Sequence, residues 1–498
     1  MNVRAVIRVL GLLIVATAMA MILPLLVSLY HREPAAPWFG VCIVGGIVLG
    51  GGVAWLARTH QDLETRDGFL IVSAGWFLIG LFGAMPFWTS GQIPSFTDAV
   101  FESISGFTTT GSSILTVITD VVEIDPVTGA EVVVAEGLDK GPLLWRSMIQ
   151  WLGGMGIVVL SLAILPLLGV GGMQLFKAEA PGPTPDRLTP RIKETARLLW
   201  VVYCVLSAAC FLALRLTGMS WYESLCHAFT TLATGGFSTH NASVGGFANP
   251  AAEIVLIVFM FLAGVNFSLH FAAARGKLST YWSDSEFKVY TTVIVVTISA
   301  IFMSNIGATE LDVFDNLRAT AFQVVSITTT TGFGTEDYEG WSQMAQFVLL
   351  ALMFVGGCAG STGGGMKNVR LLLLTRHAVN ELRKMLHPQA VYVIRFNKRA
   401  VPPDIVTNIL GFFLLMMIVT IGATFCMTLM GMDLVSGFGA VAATLNNIGP
   451  GLGSVGPTDN FGHLPAVGKW LLAFLMLLGR LELYTVLVLL TPDFWRRT

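Results

Sequence analysis

Charge is scarce in this chain. Only 12% of its 498 residues are Asp, Glu, Lys or Arg, 54% are hydrophobic, and the formal net charge is −2. So little charge, with a mean hydropathy of +0.72, excludes an ordinary soluble enzyme of this length. The near-balance of sign gives no basic field suited to nucleic acid. The six cysteines, Cys42, Cys204, Cys210, Cys226, Cys358 and Cys426, stand mostly in apolar runs. They lack the close spacing of a zinc site or a CxxC motif, which leaves them as small packing residues. Neither H-E-x-x-H nor a span with paired aspartates occurs. Without convergent nucleophile, base or metal ligands, no catalytic residue is expected. What remains is a polytopic membrane protein.

A bilayer core of about 30 Å takes roughly 20 apolar residues per helix. Ten segments have that length, near residues 9 to 30, 37 to 57, 69 to 88, 143 to 168, 198 to 217, 251 to 274, 289 to 306, 344 to 374, 405 to 430 and 467 to 490. Arg4, Arg8 and the Ala18-Met19-Ala20 stretch imitate a signal peptide, but the apolar run continues through Met21 to Tyr30, which favours a retained anchor.

Between later spans, stretches too short to cross, such as Asp98 to Phe107 and Phe314 to Ile327, lead into variations on one Thr/Gly phrase. The four versions are Thr108-Thr109-Thr110-Gly111-Ser112, Ala233-Thr234-Gly235-Gly236, Thr329-Thr330-Thr331-Gly332-Phe333 and Asn446-Asn447-Ile448-Gly449-Pro450. Non-helical backbone at membrane depth is tolerated only where protein or a water-filled cavity surrounds it. Glycine lets such backbone approach a ligand closely. Four rows of carbonyls around one axis would replace the water shell of an alkali cation.

The expected fold is therefore an all-α polytopic membrane protein. It has two N-terminal transmembrane helices (1–60) and four pseudo-repeated units of span, re-entrant half-helix, filter strand and span around one pore (61–175, 176–280, 281–385 and 386–498). Gly111, Gly235, Gly332 and Gly449 are taken as equivalent points of the repeats.

Charge orients this arrangement. Arg58, Arg66, Lys177, Arg187, Arg191, Lys193, Arg197, Arg275, Lys277, Lys288 and the dense set from Lys367 to Arg399 fall on one side, which the positive-inside rule makes cytoplasmic, with both termini. The other side carries Asp120, Glu123, Asp125, Glu131, Glu136 and Asp139, then Glu310, Asp312, Glu336, Asp337 and Glu339. These are ordinary loop acids or a mouth that concentrates cations. Asp98, Glu223 and Asp315 suit the starts of half-helices, where an acid meets the positive end of the dipole.

These phrases, extended to Gly106-Phe107 before the first, Phe237-Ser238-Thr239-His240 after the second and Gly451-Leu452-Gly453 after the fourth, resemble the Trk/Ktr/HKT superfamily of potassium transporters, and within it the bacterial TrkH branch. The resemblance covers nearly the whole chain. It implies K+, or Rb+ in its place, as the transported ion, held by Thr109, Thr110, Gly111, Ala233, Thr234, Gly235, Thr330, Thr331, Gly332, Asn447, Ile448 and Gly449. The fourth phrase departs furthest, with Asn446-Asn447-Ile448 in place of threonines.

The run from Gly356 to Lys367 lacks the G-K-[S/T] of a phosphate-binding loop, and so many glycines should break the eighth span. By resemblance it is an intramembrane gate, formed by Gly356, Gly357, Gly360, Ser361, Gly363, Gly364, Gly365 and Lys367, with Arg480 beneath the filter. A charge so deep in a span faces a pore or a partner. Read from the residues alone, the bland alternatives are a small-residue helix contact for the run and a buried carboxylate partner for Arg480. Other implications of the resemblance are a bacterial inner-membrane location, a homodimer, a cytosolic nucleotide-binding partner of the TrkA kind, and no organic cofactor on this chain. A potassium symporter coupled to protons or sodium is the alternative, although the four phrases contain no Asp, Glu, Lys or Arg.

Overall fold

A computed structural model describes residues 1–59, 64–124, 131–163, 188–309 and 311–496. Asp125, Lys177, Arg187 and Glu310, and the 175/176 boundary between repeats, lie outside the described residues.

Among the described residues, six helices are long and apolar enough to cross a bilayer: Val3–His31, Ala36–Leu56, Arg66–Thr89, Glu194–Leu216, Ser285–Asn305 and Pro403–Leu429. Of the ten expected segments, two are bent pairs of helices and the eighth is broken where its glycines predict. The segment expected at 251 to 274 is a pair of helices, Pro250–Ala263 and Phe267–Ala274, bent by 100°. The one expected at 467 to 490 bends by 110° between Ala466–Arg480 and Tyr484–Leu490. The one expected at 344 to 374 is split into Gln343–Leu352 and Asn368–Leu386 by a stretch with no helix. Composition counts apolar residues and cannot register a bend whose freed backbone groups find partners inside the protein.

The N-terminal helices pack through glycine. A Cβ on Gly11 would lie 2.6 Å from the Gly50 carbonyl oxygen, and one on Gly50 2.7 Å from that of Gly11. The two backbones are in direct contact, as small residues allow between membrane helices.

The four half-helices are present as Phe96–Phe107, Trp221–Leu232, Val313–Thr328 and Leu434–Leu445. Each starts on a capping side chain: Ser95, Ser220, Asp312 and Asp433 accept hydrogen bonds from the first free backbone N–H groups. Ser220 and Glu223 form a reciprocal capping box. At 12 to 16 residues these helices reach only about 18 to 24 Å at 1.5 Å per residue. Their apolar faces are buried in protein, and every residue from Ala99 to Phe107 is inaccessible. The helical class holds, with two antiparallel hairpins in connecting segments, Val121–Ile124 with Glu131–Ala135 and Arg395–Phe396 with Arg399–Ala400.

Candidate functional site

All four half-helices end in one way. After the caps Thr108, Ala233, Thr329 and Asn446, the next residue turns left-handed: Thr109 at φ 51°, Thr234 at 53°, Thr330 at 60° and Asn447 at 54°. The residue after it donates its N–H back into the helix, Thr110 to Ser105 (2.8 Å), Gly235 to Thr230 (2.9 Å), Thr331 to Ser326 (2.8 Å) and Ile448 to Ala443 (2.9 Å). This is the Schellman ending, which ordinarily recruits glycine at the left-handed position. Threonine there costs about 1–2 kcal/mol, so the surrounding packing holds a strained backbone at Thr109, Thr234 and Thr330, whereas asparagine, as at Asn447, accepts this conformation.

A positive-φ glycine follows: Gly111 (85°), Gly236 (75°), Gly332 (81°) and Gly449 (108°). The equivalence expected for Gly235 thus passes to Gly236. Gly235 occupies the place of Thr110, Thr331 and Ile448, and Ala233 that of Thr108, Thr329 and Asn446. Two successive glycines hide the register in the sequence. Counting from the cap would have found it, because the helices after Ser95, Ser220 and Asp433 are all 12 residues long.

The four turns close a ring in chain order. A Cβ on Gly111 would stand 2.1 Å from the Gly235 carbonyl oxygen, one on Gly236 2.0 Å from that of Thr331, one on Gly332 1.8 Å from that of Ile448, and one on Gly449 3.0 Å from that of Thr110. Each glycine abuts the residue before the next glycine, so φ and space both demand its lack of a side chain. The seam between fourth and first turns is also tied by Asn447 Nδ2 donating to Thr110 Oγ1 (2.9 Å) and Ser112 Oγ donating to the Gly449 carbonyl (2.9 Å). One cavity touches all four glycines. The threonines of the ring, with Asn446 and Asn447, are buried and uncharged.

Three side chains that the sequence reading passed over brace this ring. Gln150 donates Nε2–H to the Gly235 carbonyl (2.6 Å) and accepts the Phe237 N–H (3.1 Å). It fills the space of the missing side chain, since a Cβ on Gly235 would be 2.4 Å from the Gln150 Cδ. Arg146 and Glu102 form a buried ion pair at 2.6 Å. Glu102 also accepts from Ser113 Oγ and the Ile114 N–H (3.0 Å each), while Arg146 donates to the Ser238 carbonyl (2.9 Å) and lies 3.5 Å over the Phe237 ring. First half-helix, first turn and second turn are thereby joined. The available signal was an arginine and a glutamine at the start of an apolar span.

The expected gate residues come together directly against three of the turns. Thr362 Oγ1 donates to the carbonyls of Leu232 (3.0 Å) and Ala263 (3.3 Å), the Gly364 N–H to Thr330 Oγ1 (2.5 Å) and the Gly365 N–H to the Asn446 carbonyl (3.1 Å). A Cβ on Gly364 would be 2.2 Å from the Asn446 oxygen and one on Gly363 2.9 Å from that of Thr329. Gly356, Gly360, Gly365 and Lys367 all have φ between 69° and 74°, Ser361 Oγ donates to the Cys358 carbonyl, and the Lys367 ammonium bonds the Gly363 carbonyl.

Arg480 Nη1 donates to the Thr362 carbonyl at 2.7 Å. It has no carboxylate partner among the described residues; Glu482 pairs with Arg370 instead. The two neighbouring breaks also bond to each other, the Cys358 N–H to the Gly264 carbonyl (2.8 Å) and the Phe267 N–H to that of Gly360 (3.1 Å). Glu286, also unforeseen, accepts the N–H groups of Ala359 (2.8 Å) and Val369 (2.9 Å), so one buried carboxylate fastens both ends of the loop.

The acids at the half-helix starts keep a capping or pairing role. Asp98 pairs with Lys469 (2.6 Å) and Asp315 with Arg318 (2.5 Å). Partial burial pushes the Glu223 carboxyl up, but hydrogen bonds from Ser220 and His240 outweigh it and hold the group below its ordinary value. Among the described residues, no group of three or more His, Cys, Asp or Glu is placed to hold a metal ion.

A family model described as TrkH, cation transport protein, matches residues 43–496. The chain is 43% identical over 507 residues to the Trk system potassium uptake protein TrkH of Salmonella typhimurium, with all of both chains covered. It is 34% identical over 503 residues to the Trk system potassium uptake protein TrkG of Escherichia coli, with 99% of each covered. The crystal structure of the potassium transporter TrkH from Vibrio parahaemolyticus matches with a TM-score of 0.88 and 39% identity across 100% of both chains.

Proposed function

The chain belongs to the TrkH family of cation transport proteins, and from that premise we propose that it takes up potassium across a bacterial inner membrane through a gated, channel-like pore. The observation that carries this reading is the closed ring of four neutral turns. Carbonyl dipoles hold an alkali ion firmly enough to bind it and weakly enough to release it, whereas a carboxylate ring would favour harder or divalent cations. Each half-helix ends at the ring, so the negative ends of four dipoles, each about half an elementary charge, converge there.

The ion-facing groups in this reading are the backbone oxygens of Thr109, Thr110, Thr234, Gly235, Thr330, Thr331, Asn447 and Ile448 with Gly111, Gly236, Gly332 and Gly449. Ala233 is set one step back at the helix cap. The turns hold no titratable side chain, which supports passive flow over a proton- or sodium-coupled symport. The four-repeat division, the cytoplasmic placement of both termini and of the basic side, the homodimer and the cytosolic nucleotide-binding partner belong to the same proposal.

The loop from Gly356 to Lys367 is the gate. It rests on the ends of three half-helices, and Arg480 and Glu286 hold it in place. Deleting Gly360 to Gly364 is expected to raise cation leak severalfold in liposomes; a folded deletion protein with wild-type permeability would refute the gate. Arg480→Ala is expected to raise flux as well, because the Thr362 carbonyl loses its donor and the fixed positive charge beside the ring is gone. Surface biotinylation or membrane fractionation checks that the variant still inserts.

The deciding experiment is cation flux through the purified protein in liposomes, comparing potassium, rubidium, sodium and lithium with and without a proton gradient. Passive flux with potassium and rubidium well ahead of sodium is the expected result. Flux that requires a proton or sodium gradient would replace the pore with a symporter.

A further inference from the structure

The helix Asn368–Leu386 leaves the gate loop and runs into the basic segment that ends at Arg399. Between its second half and the extended segment 391–395 lies a cavity of about 520 Å³. Three arginines line it, Arg376 and Arg383 from the helix and Arg395 from the facing segment, together with Thr375, Asn380 and Tyr392. Among the described residues, no carboxylate is in the lining. Glu381, on the same helix, is turned away to Lys384 (2.6 Å) and His377 (3.8 Å). Arg376 donates to the Arg395 carbonyl and so ties the two walls together. Among the described residues, none of the three arginines has an ion-pair partner.

Three like charges around one concavity repel one another, and the arrangement is stabilised by a bound counter-anion. Guanidinium forks match the oxygens of phosphate two at a time, and a tyrosine, an amide and a threonine beside them add hydrogen-bonding groups. We propose that this cavity is a binding site for a phosphate-type oxyanion. The surroundings favour a lipid head group as its source. Val379, Val391 and Val393 of its lining are 40%, 89% and 51% exposed, an apolar border suited to acyl chains, on the face read above as cytoplasmic, where anionic lipid attracts basic segments. Because the cavity adjoins the helix that carries the gate loop, occupancy would steady that helix.

The test is native mass spectrometry of the full chain released from detergent, titrated with phosphatidylglycerol, with phosphatidylcholine and, in a separate arm, with inorganic phosphate. Preferential retention of phosphatidylglycerol is expected, with apparent affinity about tenfold lower in Arg383→Gln/Arg395→Gln, the effect of losing charge-assisted bonds. Lys384→Gln removes a charge of the same sign from the same helix but outside the cavity, and it should bind as wild type does. Phosphate retained as well as the lipid, and lost in the double variant, would identify the free anion as the source. Equal losses in Lys384→Gln, or wild-type binding by the double variant, would mean diffuse attraction and overturn the site. Should the double variant be poorly folded, Arg383→Lys/Arg395→Lys keeps the charge without the fork and is expected to bind more weakly than wild type; undiminished binding there overturns it too.

Discussion

Replacing Gly236 with alanine is expected to abolish selective potassium flux, whereas the same change at Gly235 is expected to be tolerated once Gln150 is shortened. Gly236 sits at φ 75°, where an L side chain costs about 1–2 kcal/mol. Its Cβ would lie 2.0 Å from the Thr331 carbonyl oxygen, and that atom is backbone of the next turn, so relief requires opening the ring. At Gly235 the obstruction is the Gln150 side chain, 2.4 to 2.7 Å away, and the backbone is not left-handed.

Gly235→Ala alone should therefore be inactive. Gly235→Ala/Gln150→Ala should regain part of the potassium-over-sodium flux, less the loss of two hydrogen bonds worth about 1 kcal/mol each. The check is rubidium and sodium uptake into liposomes by all three variants. Wild-type selectivity in Gly236→Ala would show that the turns do not have to form a closed ring for transport.

Removing either member of the Glu102–Arg146 pair should destabilise the protein by about 3–5 kcal/mol, because an unpaired charge is left in a dry site. The two groups are 0% and 3% exposed, and their remaining bonds run to both the first and second turns. Glu102→Gln/Arg146→Met removes both charges at similar volume and should be markedly more stable than either single variant, as the coupling of a buried pair requires. Thermal unfolding in detergent gives the stability, and the potassium-to-sodium flux ratio gives the function. The single variants are expected to lose selectivity along with stability, since the arginine fixes the Ser238 carbonyl and the Phe237 ring beside the second turn. Additive effects in the double variant would mean the pair does not act as a unit.

Much of this site could be read along the chain, and the reasons are local. Long apolar runs announce spans. Repeated Thr/Gly phrases after stretches too short to cross announce re-entrant turns. The glycines from Gly356 to Gly365 announce a broken helix, and Arg480 stands out as a charge within one. The second turn was misread by one position because Gly235 and Gly236 are chemically identical, and the difference between them lies in what each abuts: a glutamine side chain for one, a neighbouring backbone for the other. The bends at Gly264 to Asn266 and at Leu481 to Leu483 carry no glycine run or proline to mark them in the chain, and the contacts that tie them to the rest of the protein, the Cys358 N–H on the Gly264 carbonyl and Arg370 on Glu482, come from far along the sequence.

Secondary structure, repeat number and the neutral character of the turns follow from composition and short-range pattern, since helix formation, capping and membrane partition act over a few residues. Closure of the ring, the register of its second turn, the bracing by Glu102, Arg146 and Gln150, and the seating of the loop on three half-helix ends arise only in the packed molecule. They depend on contacts between residues up to several hundred positions apart, such as Ser112 with Gly449 and Arg480 with Thr362. Such contacts leave no periodic trace in the chain, because what they require of each residue is a fit to a surface that exists only after folding.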